Sequence, residues 1–137
     1  MARQVPRQLR RFARERASRR CEYCLIHEED ALIPHVPDHI ISRRHGGRAD
    51  AANLAWACYL CNHLKSSDIA SIDLETGRVV RLFNPRKDKW ATHFRLKNGY
   101  ILPLTPIGRV TEYFLRFNQP FAVETRQALI EARRYPR

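Results

Sequence analysis

Four cysteines stand in two Cys-x-x-Cys pairs, Cys21 and Cys24 in CEYC and Cys58 and Cys61 in CYLC, with none left over. In a reducing compartment this arrangement points to one four-thiolate zinc site. A closed set of four thiolates leaves zinc no open coordination position, so such an ion is structural. The competing use of the same spacing is two redox pairs or two disulfides. Between the pairs lies the dipeptide Asp38-His39. An imidazole that titrates near neutral pH stands there beside a carboxylate, a hard oxygen donor. The spacing thus suggests a staple that holds one metal around a segment equipped for chemistry.

The rest of the composition says what such chemistry would act on. The chain of 137 residues carries a formal charge of +11 and a pI near 10.3, and all but four of its 25 cations are arginine. Arginine presents a planar fork of donors that matches phosphate oxygens two at a time. The expected partner is therefore a polyanion, and nucleic acid before others. Charge alone separates neither DNA from RNA nor binding from catalysis. An acidic membrane surface is disfavoured, because no strongly apolar amphipathic anchor accompanies the charge. No apolar run approaches the roughly 18 residues needed to span a bilayer. The arginine-rich start lacks the apolar stretch of a signal peptide, so a soluble, cytoplasmic protein is expected.

Several elements must position these residues. Val5, Leu9, Phe12, Ala13 and Ala17 recur at helical spacing in residues 4–20, which predicts an amphipathic helix with arginines on its other faces. Those arginines either touch phosphate or are simply solvated. LIPHVPDHII reads as a strand, RRHGGRAD as a polar loop, NLAWA as a second strand, and a helix is expected to start near Asn62. Beyond about residue 70, IDLETGRVVRLF reads as a hairpin turning at Thr76-Gly77, and WATHFRLKNGYILPL as another turning at Asn98-Gly99. PIGRVTEYFLRFN and AVETRQALIEARR carry helical spacing. Trp56, Phe83, Trp90 and Phe94 are expected in the core, and His27 and His93 in structural roles.

CEYC, PDHII, HGG, NL and CYLCNHLK, in that order, resemble the zinc-bearing HNH endonucleases over roughly residues 18–68, and the tail resembles the extension on many small bacterial HNH proteins. The resemblance implies an α+β fold whose core is a ββα-metal (His-Me finger) unit stapled by zinc on Cys21, Cys24, Cys58 and Cys61. His39 matches the family's general base, and Asp38 its carboxylate ligand for a catalytic Mg²⁺ or Mn²⁺. Asn53 matches the central Asn, which holds the histidine-bearing segment in place. Asn62 stands where the family's last histidine is often replaced by asparagine, and is the expected second ligand, with His63 as the alternative. Neighbouring side chains on a regular strand point to opposite faces, so Asp38 and His39 need a twist or a strand end to share a site.

Lys65, one turn beyond Asn62, is either a phosphate contact or a solvated lysine. Arg43, Arg44 and His45 offer further phosphate contacts, and His35 either flanks the site or lies on the surface. The expected organisation is a basic helix over 1–20, an HNH core over 21–70 and an α+β extension over 71–137 packed on that core. The implied activity is one-metal hydrolysis of DNA that leaves 5′-phosphate and 3′-hydroxyl ends. RNA as substrate, and a non-catalytic zinc-ribbon module that only binds nucleic acid, are the rival readings. Double-strand cleavage would require a dimer or two visits.

Overall fold

The computed structural model describes residues 5–137; Gln4, where the first helix was expected to begin, lies outside them. Helix α1 runs Arg7–Arg16 and buries Ala13, with Ala17 just past its end. Phe12, expected on the apolar side, is half exposed, with the Arg16 guanidinium 5.0 Å from its ring centre. The helix ends earlier than its periodicity suggests because Ser18 and Arg19 adopt positive φ (53° and 62°) and turn the chain toward the first cysteine pair.

Strands β1 (Val36–His39) and β2 (Leu54–Ala57) pair antiparallel, with Asp38 opposite Ala55 and His39 opposite Leu54. Side chains alternate across a sheet, so Ala55 and Ala57 face one way and Leu54 and Trp56 the other. Both faces of β2 are buried. The alanine face enters the main core. The other is covered by α1, where Arg10 lies over the Trp56 ring and Arg16 donates to Leu54 O and Ala51 O at 2.8 Å each.

Helix α2 (Tyr59–Lys65) follows directly. It starts three residues before the expected position, because the Cys58 thiol accepts the Cys61 N–H and serves as its cap.

The second half forms β3 (Ala70–Ile72) with β4 (Val79–Arg81), then the short α3 (Trp90–His93), β5 (Phe94–Lys97) with β6 (Tyr100–Pro103), α4 (Pro106–Phe114) and α5 (Pro120–Glu131). The first hairpin is organised by Asp73, whose carboxylate accepts from Glu75 N, Thr76 Oγ1 and Arg109. The second turns on Asn98 and Gly99, both at positive φ, as a two-residue loop between twisted strands requires. The molecule is thus mixed α+β with small antiparallel pairs. One apolar cluster joins Cys21, Tyr23, Ala55, Cys58 and Cys61 to Phe83, Phe94, Ile101 and Phe117. Each such buried phenyl contributes roughly 1.5–3 kcal/mol.

Candidate functional site

The four cysteine sulfurs converge instead of pairing: all are free thiols, and their Sγ atoms lie within 4.8 Å of one another. Cys24 Sγ and Cys58 Sγ are 3.8 Å apart, which is about the S–S edge of a tetrahedron with 2.3 Å metal–sulfur bonds. Backbone N–H groups of Tyr23 and Cys24 point at Cys21 Sγ, each at 3.4 Å. The donor set and its spacing fit a metal ion such as zinc. The surroundings hold the knuckle from several sides. Glu22 exchanges hydrogen bonds with Trp56 and pairs with Arg86, the Tyr23 carbonyl accepts from Trp90 Nε1 at 2.8 Å, and the Cys24 carbonyl accepts from Tyr135 at 2.7 Å.

From the cysteine core the chain passes to β1, where Asp38 is 3% exposed. Its carboxylate accepts from Tyr23 OH at 2.7 Å and meets Lys65 Nζ at 3.3–3.4 Å. Burial raises its pKa to about 6, against the opposing pull of Lys65 and the tyrosine hydrogen bond. Lys65 is itself 1% exposed, neither solvated nor on a phosphate-facing surface, and also donates to the His39 carbonyl at 3.0 Å. His39 ends β1 on the alternate face, and its Nε2 has no hydrogen-bond partner. Burial and the nearby charges of Arg43 and Lys65 hold its pKa below the ordinary histidine value.

Asn53 fastens the loop that follows. Its Oδ1 accepts from Ile41 N, while its Nδ2 donates to Ile41 O and Arg48 O, all at 2.9 Å. Gly47 makes that closeness possible, since a Cβ there would sit 1.7 Å from Ile41 O. Arg43, Arg44 and His45 form an exposed 3₁₀ turn in this loop, and His45 Nε2 lies 3.0 Å from Ser67 O, joining the loop to the end of α2.

On α2, three residues rotate 300°, which leaves Asn62 about 60° from Lys65 and His63 about 160° away. Asn62 therefore shares the side turned to Asp38. His63 is exposed and stacks on Tyr59 at 5.7 Å between ring centres. A carboxylate and an amide oxygen on facing elements are the hard donors that a divalent ion of the Mg²⁺ class takes. The ammonium of Lys65 already stands on Asp38 as a cation, at distances longer than the roughly 2.7–2.9 Å of a tight charged hydrogen bond. Asp38 and Asn62 offer donors of that class, but in this structure Lys65 occupies the Asp38 carboxylate and His39 lies on the other face of β1, so the structure does not bring the three together.

Tyr23 and Gly47 were not singled out by sequence reasoning. HGG marked a loop, and nothing in CEYC signals that its tyrosine reaches a carboxylate 15 residues on. His35 is neither on the surface nor at the ion site: it is buried against Trp56, with Nε2 at 3.0 Å from Ile26 O. His27 caps a 3₁₀ turn, and His93 contacts Thr105 at 2.6 Å.

Residues 21–68 match the family model described as HNH endonuclease, and that match supports nuclease-type activity. No curated protein and no solved structure matches the chain.

Proposed function

We propose that the protein, whose residues 21–68 match the HNH endonuclease family model, is a metal-dependent DNA endonuclease built on a ββα-metal core. The observation that carries this reading is the state of His39: an imidazole at a strand end, its Nε2 unpartnered and its pKa depressed, beside a loop fastened by Asn53. A general base must be neutral at working pH. Burial and Arg43 favour the neutral form, although His39 stands next to a cationic loop that attracts phosphate.

In the proposed reaction His39 takes a proton from a water aligned with the phosphorus. The water oxygen bonds to phosphorus and the bond to the 3′ oxygen breaks, leaving 5′-phosphate and 3′-hydroxyl ends. Asp38 and Asn62 are the side chains that would hold Mg²⁺ or Mn²⁺. When bound, such an ion supplies Lewis-acid stabilisation of a phosphate oxygen and of the leaving oxygen. Asn53 keeps the His39 segment in register, and Arg43, Arg44 and His45 meet the flanking phosphates. Zinc on the four cysteines keeps α2 against β1.

Supercoiled plasmid incubated with Mg²⁺, Mn²⁺ or EDTA tests this directly. Nicking should require the divalent ion and fall roughly 10²–10⁴-fold in His39→Ala, as expected for loss of a general base, while affinity for the plasmid is retained. Undiminished cutting by His39→Ala would remove the base from His39. Binding without cutting under every ion would leave a zinc-stapled binding module.

A further inference from the structure

Seven of the eleven net positive charges lie in the first 20 residues, which hold eight arginines and one glutamate. None of these falls in the matched segment 21–68. Helix α1 is the described part of that stretch, and the fold divides its cations sharply. Arg14 is held by Glu28, with bonds of 2.6–3.0 Å, and Arg16 is spent on backbone carbonyls. Arg7, Arg10 and Arg11 are exposed, and no acidic side chain pairs with them among the described residues.

The position of α1 gives these three arginines their significance. The helix packs on the Leu54 and Trp56 face of the β1–β2 hairpin. Asp38 points to the opposite, core-side face, so by strand alternation α1 lies on the same face as His39. The helix also touches residues 51–53, beside the Asn53 clamp of the basic loop. A basic helix and a basic loop thus flank the face of the hairpin on which His39 lies.

Resting on the nuclease reading, we infer that α1 is a docking surface for the phosphate backbone of duplex DNA, with Arg7, Arg10 and Arg11 taking phosphates beyond the one cleaved. A membrane surface suits it poorly. Ala13 and Ala17 of α1 are buried against the protein, and the half-exposed Phe12, with the Arg16 guanidinium over its ring, is too little apolar surface to enter a bilayer.

The test uses the full chain carrying His39→Ala, without divalent ion, so that binding is separated from cutting. Affinity for a 25-base-pair duplex is measured against salt by fluorescence anisotropy. Replacing Arg7, Arg10 and Arg11 by Gln should lower the slope of log K against log salt by about 3 and weaken binding on the order of a hundredfold at 0.1 M salt. The same charge is removed elsewhere by replacing Arg78, Arg95 and Lys97 by Gln, all exposed and outside α1. That variant should keep nearly the full affinity. Equal losses in both variants would mean diffuse charge rather than a docking helix, and no loss in the first would overturn the inference outright. Either result leaves the nuclease reading standing if wild type still nicks plasmid. Failure of the His39→Ala protein to bind any duplex would overturn both. Tighter binding to anionic vesicles than to duplex would replace DNA by a membrane as the partner. Zinc content and thermal unfolding of each variant confirm that the fold is intact.

Discussion

Asp38 is a carboxylate that the fold removes from water and then supplies with one cation and one hydroxyl donor. Desolvation outweighs both partners, so its pKa rises to about 6. A carboxyl whose folded pKa exceeds its unfolded value of about 3.8 binds its proton more readily when folded. Its contribution to stability therefore falls as pH rises from about 4 through about 6. Removing Lys65 leaves the charge unpaired, and Lys65→Met should cost about 3–5 kcal/mol at pH 8, as for other broken buried pairs. Urea unfolding should show that cost shrinking at pH 5, where Asp38 takes a proton; an equal cost at both values would mean that the pair is not what Lys65 supports. At His39 the sign is opposite. Its pKa lies below the usual histidine value because of burial, Arg43 and Lys65, so the neutral form that the proposed base requires persists to lower pH. The rate should rise with pH through an inflection below about 6.5, and Arg43→Gln should move that inflection upward. A pH–rate profile unmoved by the change would separate Arg43 from the base.

The elements that carry these residues were legible to unequal degrees. Strands β1 and β2, both hairpin turns and α2 follow from alternation, Asn-Gly and Thr-Gly turn chemistry and the cysteine spacing, because each is a local signal. The side-chain clamp was only half visible. Asn53 was readable by resemblance, but its three hydrogen bonds span 5 to 12 residues, and nothing local records that Gly47 must pass so close to Ile41 O. The end of α1 was missed because Ser18 and Arg19 turn at positive φ, which no residue type there announces. The burial of Lys65 was missed because a lysine one turn beyond Asn62 looks solvated until β1 is laid across it. A prediction follows at this scale. Asn53→Ala frees two backbone carbonyls and one N–H in the loop after His39. It should lower kcat with little change in KM, since it loosens the segment that carries the proposed base without touching the proposed phosphate contacts. A change confined to KM would place Asn53 in binding instead. Gly47→Ala should fail more severely, because its added carbon would run into the Ile41 backbone and the Asn53 amide itself.

The cysteine cluster is part of the same apolar cluster as Phe83, Phe94, Ile101 and Phe117, so metal binding and the packing of the second half belong to one equilibrium. The second half reaches the knuckle directly through Trp90, Arg86 and, near the C-terminus, Tyr135, while Arg134 and Arg137 pair with Asp30 and Glu29. A structural zinc ion in a small domain contributes its binding energy as folding energy. That energy is realised only when the knuckles are held together, and here residues well beyond 70 hold them. A chain cut after residue 70 keeps every cysteine and every proposed catalytic residue, yet loses the aromatic half of the core and the three ties to the knuckle. It should therefore remain unfolded by circular dichroism even with excess zinc, whereas the full chain folds with zinc under the same conditions. Folding of the 1–70 piece with zinc would make the second half an accessory to a self-sufficient core; its failure would make residues 71–137 part of the scaffold on which the site depends.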